Sequence, residues 1–314
     1  MGGADMSAPE VSVIIPSFHS LRTLGFTLRS VFAQQSCPSY EVLVVDSSGV
    51  DLTGWVRARY PQARLIQPRR RHLPGAARNL GADQARGRVL AFLDADVVAD
   101  PTWLSVLYHC LDACSRPVAA GGYVGNANPA SAASAVQHWL EFSEFVPGTA
   151  SGPRRFLPTC NLMIRREDFL DAGGFEPAWA MAEDLLFFQG LARPAWFEGS
   201  TGVQHYHRSR WGEMLAHLLR LGYWSGRLRR IRSLPGSFLA KCPEAAYVLP
   251  AVRVPRVLRR LARAAPGEAA KAVLCLPGLL LASLVWAEGF RRGLRAKDDP
   301  SAVLPGQEPH READ

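Results

Sequence analysis

Val89-Leu-Ala-Phe-Leu-Asp-Ala-Asp96 is a run of five apolar residues that stops on two acids spaced i, i+2. An apolar run this short, without polar alternation, is the pattern of a strand buried on both faces of a parallel sheet. Two carboxylates at that spacing beside a tight turn can hold a hard divalent cation shared with phosphate oxygens. A solvated turn is the plain alternative, and the tripeptide alone does not separate the two. Its company does. Upstream, Val11-Ser-Val-Ile-Ile15 stops at Pro16 and Tyr40-Glu-Val-Leu-Val-Val45 stops at Asp46, so three buried strands finish on a turn residue or an acid.

Between these strands the apolar spacing is helical. Residues 20–35 carry Leu21, Leu24, Leu28, Val31 and Phe32, and a second helix is expected over 76–85 after a strand at 64–67. Strands alternating with helices imply βαβ units, right-handed crossovers and an α/β fold with a mostly parallel sheet flanked by helices. In such sheets ligands bind at the carboxyl ends of the strands. Pro16, Ser17, Phe18, Asp46, Asp94 and Asp96 are thereby expected on one edge.

Further along, Asp100-Pro101 reads as an N-cap and a proline at the first position of a helix over 102–113. Residues 119–160 read as loops with a helix near 132–145. A strand follows at 161–165, a short helix over 168–172 ended by Gly173-Gly174, and a helix over 183–191.

The bulk numbers suit a globular protein: 314 residues, 48% hydrophobic and 20% charged. That length fits one large α/β domain plus an extension. We divide it as an unstructured start (1–9), a catalytic domain (10–210), a basic helical extension (211–298) and an unstructured tail (299–314). The net charge of +8 is concentrated, because residues 208–297 hold 18 Lys and Arg against four acids. Such a surface favours an anionic partner, a nucleotide or an anionic membrane; nucleic acid is not expected. No Cys-x-x-Cys pair occurs among the six cysteines, which read as reduced. Met1 to Glu10 lacks the basic-then-apolar pattern of a signal peptide. A cytoplasmic location, peripheral at the inner face of the membrane, is the resulting expectation.

The ordered set Val11-Ser-Val-Ile-Ile-Pro-Ser-Phe18, Glu41-Val-Leu-Val-Val-Asp-Ser-Ser48, Gly75-Ala-Ala-Arg-Asn-Leu-Gly81, Leu93-Asp-Ala-Asp96, Asn161-Leu-Met-Ile-Arg-Arg166, Gly173-Gly-Phe175 and Glu183-Asp-Leu185 resembles family 2 glycosyltransferases over about residues 10–210. The resemblance implies a GT-A type fold and metal-dependent, inverting transfer of a sugar from a nucleotide-diphosphate donor to a hydroxyl acceptor, a saccharide or lipid-linked saccharide of cell-surface polysaccharide or glycolipid synthesis. By it, Pro16, Ser17 and Phe18 line the nucleotide pocket, Asp46 accepts a hydrogen bond from the base, and Arg78 lies near the nucleotide. Asp94 lies near ribose or metal, and Asp96 binds the Mn2+ or Mg2+ that bridges the diphosphate. His205 or His207 completes the metal shell, Gly173, Gly174, Phe175 and Glu183 belong to the acceptor side, and Asp184 is the general base.

The physics agrees with those roles. A diphosphate leaving group gains charge in the transition state, where a bridging cation stabilises it. Inversion needs one base opposite the leaving group and no nucleophile. Each residue also has a plainer reading: Asp184 as a helix cap, Arg78 as a surface ion pair, Asp46 as a strand-end turn residue, and the histidines as satisfied or exposed. Two other functions use similar parts. A nucleotidyltransferase would need a Gly-rich, basic loop after the first strand, and Ser17-Phe-His-Ser20 has none. A non-catalytic module binding nucleotide sugar or membrane would have lost the base, yet Glu183-Asp184 is present. A dinucleotide (NAD) enzyme is not expected, since no Gly-x-Gly-x-x-Gly follows the first strand.

In the extension, a basic helix over 213–232 and the segments 253–263 and 291–297 surround an uncharged run, 272–287, broken by Pro277 and Gly278. A spanning helix needs about 20 apolar residues. A core helix hairpin, an interfacial element and a span all remain open for this run.

Overall fold

The computed structural model describes residues 8–112, 117–191 and 193–296. The unstructured ends expected at 1–9 and 299–314 lie outside these, apart from Ala8 and Pro9, as do Ala113 and Lys297. Strands β1 (Val11–Ser17), β2 (Tyr40–Asp46), β3 (Ala63–Ile66) and β4 (Val89–Leu93) alternate with helices α1 (Leu21–Phe32), α2 (Thr53–Arg59) and α3 (Pro74–Gln84). The expected alternation holds because the central strands carry buried apolar runs: all five residues of β4 are buried, as are Val42 to Asp46 of β2, whereas β3 at the sheet edge is only half-buried. On α1 the buried residues Leu24, Thr27, Leu28 and Val31 recur at helical spacing and face the sheet.

Beyond β4 come β5 (Val97–Ala99), α4 (Trp103–Leu111), β6 (Ala119–Asn126), α5 (Ala132–Phe142), β7 (Gly152–Arg154), β8 (Asn161–Arg165), α6 (Arg166–Asp171), α7 (Glu183–Gln189) and β9 (Ala195–His205). The sheet order is β3-β2-β1-β4-β8-β6-β9-β5, with β7 pairing antiparallel to the first residues of β9, at the opposite end from β5. The run β3-β2-β1-β4 is parallel, whereas β8 enters antiparallel to both β4 and β6. Ser17 pairs in register with Asp46, so the carboxyl ends of β1 and β2 are level.

Two expectations need correction. The first is β6, which residues 119–160 did not reveal as a strand. Its sequence, Ala119-Ala-Gly-Gly-Tyr-Val-Gly-Asn126, is poor in the β-branched residues that mark strands. The glycines are there for close approach: a Cβ on Gly122 would sit 2.2 Å from the carbonyl oxygen of Thr201, where the register with β9 shifts. The second is Asp100. The N-cap of α4 is Thr102, without a side-chain cap bond, and the Asp100 carboxylate instead accepts the Tyr123 hydroxyl (2.5 Å) and the Gly202 N–H (2.9 Å). It ties β6 and β9 to the segment after β5.

The chain then turns helical: α8 (Trp211–Ile231), two 3-10 turns (Ser237–Lys241 and Pro243–Val248), α9 (Leu249–Ala264), α10 (Pro266–Leu274) and α11 (Leu276–Arg295). Gly222 and Gly226 of α8 face Gly289 and Gly293 of α11. A Cβ on Gly226 would lie 2.1 Å from the Phe290 carbonyl oxygen, and one on Gly293 2.0 Å from that of Tyr223. The helices therefore meet backbone to backbone, as small-residue i, i+4 pairs allow. Trp139 and Val136 of α5, Met214 and Leu218 of α8, Val257 and Leu261 of α9, and Leu279 and Ala282 of α11 form one buried cluster. Through α5, the extension and the sheet share a cleft.

Among the described residues no single helix is long and apolar enough to cross a membrane. Together α10 and α11 have the length and composition, but they bend by 82° at the break between Leu274 and Leu276. The described cysteines, Cys37, Cys110, Cys160, Cys242 and Cys275, are all free.

Candidate active site

A cavity of about 990 Å³ opens along the carboxyl ends of β1 and β4 and continues between α5 and the helical extension. Pro16, Ser17 and Phe18 form one side, Asp94 and Asp96 the floor, and Glu183 and Asp184 the opposite wall. The strands set this arrangement, since β1 and β4 are parallel neighbours with their carboxyl ends on one edge, and Arg78 ties Glu183 at the start of α7 to Asp94 at the end of β4.

The floor is acidic. One ligand atom each from Asp94, Asp96 and His205 can be chosen so that all lie within 4.8 Å of one another. His205 closes β9, which runs antiparallel to β5 with Val97 opposite His205; this pairing brings the imidazole over the two acids. Its Nε2 is 3.6 Å from Asp96 Oδ1, and its buried Nδ1 has no partner among the described residues. Burial, with Asp94 adding, pushes the Asp96 carboxyl up, while His205 and Arg208 pull it down. Two carboxylates and one imidazole form an oxygen-rich donor set that fits Mn2+ or Mg2+. His207 stacks on His205 at 4.5 Å but shares a hydrogen bond with His138 (Nε2 to Nδ1, 3.2 Å). Of the two histidines left open by the sequence, His205 joins the acids and His207 packs behind it.

Arg78 is not a surface ion pair. It is 3% exposed and donates Nη1 to Glu183 Oε1 and Nη2 to Asp94 Oδ1, each at 2.6 Å. Burial opposes its charge, but the two carboxylates outweigh that and hold the guanidinium protonated. It thus links the acidic floor to the wall that carries Asp184, and it leaves Asp94 Oδ2 for other partners. Asp184 stands free of such pairing: its Oδ1 accepts the Leu185 N–H at 2.7 Å. The N-cap of α7 is Ala182, in the left-handed conformation (φ 62°), rather than Asp184. Burial first, then the neighbouring Glu183, pushes the Asp184 carboxyl up to about 7.

Two groups sit elsewhere than expected. Asp46 is 1% exposed and does not line the cavity; its carboxylate accepts the hydroxyl of Ser17 (2.6 Å) and both the hydroxyl and N–H of Ser48. It therefore orients Ser17, which does line the cavity. Gly173 and Gly174 end α6 in left-handed conformations (φ 79° and 70°), and Phe175 lies in an aromatic cluster with Phe92, Phe169 and Phe187. Asn79 brackets Phe175, taking its N–H and donating to its carbonyl. These residues brace α3 from below and do not line the cavity. Glu183 does line it, but its carboxylate is held by Arg78.

Residues the sequence reading passed over also line the cavity. Arg71 stacks over the Phe18 ring at 4.2 Å. Its signal was available in Arg69-Arg-Arg71, just before α3. Arg208, His217, Arg229, Arg253 and Arg256 line the far arm; only the general basicity of the extension pointed to them.

The sequence model of glycosyl transferase family 2 matches residues 12–171. The succinoglycan biosynthesis protein ExoO of Rhizobium meliloti (strain 1021) is 34% identical over 113 residues, covering 35% of this chain and 32% of that protein. Glycosyltransferase AglE of Haloferax volcanii is 29% identical over 172 residues, 53% of this chain and 56% of that one. The match thus spans about half or less of these relatives' length. Among solved structures, the mannosyltransferase PcManGT of Pyrobaculum calidifontis, in complex with GDP-Man and Mn2+, superposes with a TM-score of 0.60 at 17% identity, covering 91% of this chain and 87% of that one. S. aureus TarS 1-349 gives 0.52 at 17% identity, with 91% and 90% covered. Both show a common fold, the GT-A arrangement of sheet and flanking helices. With the family matched over half of its length, the chain belongs to glycosyl transferase family 2.

Proposed function

We propose that the chain is a metal-dependent, inverting glycosyltransferase moving a sugar from a nucleotide-diphosphate donor to a hydroxyl acceptor in polysaccharide or glycolipid synthesis. The observation that carries this reading is one cavity with a three-ligand acidic floor and, on another wall, a carboxylate that has no ion-pair partner among the described residues and is pushed up to about 7. When bound, Mn2+ or Mg2+ supplies positive charge to the departing diphosphate. Asp94, Asp96 and His205 would hold that ion. Pro16, Ser17 and Phe18 cradle the nucleoside, with Arg71 beside Phe18 facing its anionic side. Asp46 acts on the donor through Ser17 rather than by touching the base. Arg78 keeps Asp94 ionised and in place, and through Glu183 fixes the start of α7. Asp184 then takes the proton of the acceptor hydroxyl as that oxygen attacks the anomeric carbon. A base with a pKa near the working pH is best matched to this step. PcManGT, with GDP-Man and Mn2+ in its structure, supports the donor class by analogy.

Screening nucleotide sugars by thermal shift tests the donor reading. A ligand that binds only the native state raises stability by RT ln(1 + [L]/Kd), about 2.7 kcal/mol at a hundredfold excess over Kd. One donor class is expected to raise Tm with Mn2+ present and to lose that effect in EDTA. No response to any UDP-, GDP-, ADP- or dTDP-sugar would contradict it.

The extension is proposed to hold the protein at anionic membranes. Leu274 (84% exposed), Val273, Leu280, Leu281 and Leu284 put apolar surface on the bent pair α10 and α11, and the surrounding segments carry the basic excess. An interfacial element combines those two features. Co-sedimentation with phosphatidylglycerol vesicles at low salt should fall as ionic strength rises, since screening sets in within about 8 Å at 0.15 M. Protein left in the supernatant at low salt returns these helices to the role of a core hairpin.

A further inference from the structure

The donor site and Asp184 occupy one end of the cavity. The other end extends between α5, α8, α9 and α11, and the donor chemistry gives it no task. Its walls alternate two kinds of side chain. Leu239, Leu249, Val252, Trp286 and Phe290 are apolar; Arg208, Arg229, Arg253, Arg256 and Arg260 are cationic.

The charges follow one another along the arm. Arg208 acts on Asp96 at the floor and on Glu141 further in; Glu141 acts on Arg253, and Arg229 and Arg256 act on Arg253 in turn. The acids of the arm are engaged. Glu141 Oε1 lies 3.0 Å from His217 Nε2, and Glu144 pairs with Arg260. The central guanidiniums are not neutralised. Arg253 donates Nη2 to the Leu140 carbonyl (2.9 Å) and lies 4.2 Å from the Trp286 ring, but its buried Nη1 has no hydrogen-bond partner among the described residues. Among the described residues Arg229 donates to the carbonyls of Ser225 and Pro235 and to no acid. Arg256 is exposed and has no acidic partner among the described residues. Burial, with Arg229 and Arg256 adding, pulls Arg253 down to about 10 against Glu141. Glu141 offsets Arg253 only in part, since burial and two neighbouring guanidiniums outweigh it; poorly balanced buried charge is costly, and an anion in the arm would relieve that cost.

The arm also reaches the surface through grease. Phe238 is 72% exposed and Val252 49% exposed, and both line the cavity. An apolar mouth over a cationic throat suits one molecule bearing both characters. A free sugar phosphate would leave the apolar walls unused, and a neutral lipid would leave the arginines unpaired.

Resting on the sugar-transfer reading above, we infer that the arm binds an amphipathic acceptor. Its phosphate or diphosphate lies among Arg229, Arg253 and Arg256, its hydrocarbon chain leaves over Phe238 and Val252, and its hydroxyl-bearing head reaches Asp184. Acceptor and donor then enter from opposite ends and meet between the acidic floor and Asp184.

Calorimetric titration of the full chain with farnesyl diphosphate, inorganic pyrophosphate and farnesol tests this. EDTA is present throughout, so that no diphosphate binds through a divalent ion at the donor site. Farnesyl diphosphate is expected to bind at least about tenfold more tightly than either fragment, as burial of several methylenes added to charge-assisted hydrogen bonds requires. Arg253→Gln should erase that advantage. Arg256→Gln, at an exposed position that folding does not depend on, should reduce it about tenfold. Pyrophosphate binding as tightly as the lipid would leave an anion site without lipid selectivity, and equal binding of farnesol an apolar groove without an anion site. Either result overturns the inference, as does no binding at all or binding unchanged in both variants. Nucleotide-sugar binding with Mn2+, measured on the same protein, tells failure of the arm from failure of the sugar-transfer reading: only the latter removes donor binding.

Discussion

Replacement of Asp184 by Asn is expected to lower the transfer rate by about 10²–10⁴-fold, the usual cost of losing a positioned base, while the protein stays folded and binds donor. The expectation of stability rests on geometry. Ala182, not Asp184, caps α7, and the Asp184 oxygen that accepts the Leu185 N–H has a counterpart in the Asn amide oxygen. Ionisation points the same way. The Asp184 carboxyl titrates at about 7 in the folded chain against 3.8 for an ordinary aspartate, from burial first and Glu183 second. The native state therefore binds more protons than the unfolded one between those values, and this group's contribution to stability falls as pH rises through that window. Above it, the wild type carries a carboxylate that burial disfavours and the Asn variant does not. At pH 8 the variant should melt no lower than wild type. The wild-type rate should climb about tenfold per pH unit up to about 7 and then level off. Near-normal transfer by Asp184→Asn, with a lowered Tm, would reduce the residue to a part of the helix terminus.

Asp96→Ala carries the second large effect. With Asp94 tied to Arg78 through one oxygen, Asp96 and His205 supply much of what remains for an ion. Removing the carboxylate should weaken Mn2+-dependent binding of a nucleoside diphosphate by at least about 100-fold, since a bridging cation contributes several kcal/mol. It should also abolish the difference between Mn2+ and EDTA. Isothermal titration of UDP and GDP in each condition reads this directly. Wild-type affinity that is the same with Mn2+ and EDTA would exclude a bridging ion from the site.

Much of this arrangement is legible in the chain itself, for identifiable reasons. β1, β2 and β4 are each built on a short buried apolar run (Val13 to Ile15, Val42 to Val45 and Val89 to Leu93), and their ends place Ser17, Asp94 and Asp96 together once the sheet is parallel. β6 is not legible, because its glycines answer to the backbone of β9, distant in sequence. Asp100 misleads for a similar reason: local chemistry makes it a cap, whereas tertiary contacts with Tyr123 and Gly202 outcompete that role. Phe175 sits beside the site in sequence yet in the aromatic core in space, because Asn79 pins its backbone beneath α3. The choice between His205 and His207 depends on where β9 ends and on His138 of α5, neither of which a His-x-His spacing encodes. The arginine arm is the least legible part. It forms where four glycines let α8 and α11 close on each other and α9 packs against α11.

The most direct test of sugar transfer by one base and no nucleophile is the anomeric configuration of the first product. Proton NMR of the newly formed glycosidic linkage, or of the free sugar released when water is the acceptor and read before mutarotation, reports it from the anomeric coupling constant. From an α-linked nucleotide sugar of gluco configuration, attack assisted by Asp184 on the face opposite the diphosphate predicts a β product. An α product would require a second displacement or a front-face route, and would contradict the role given to Asp184.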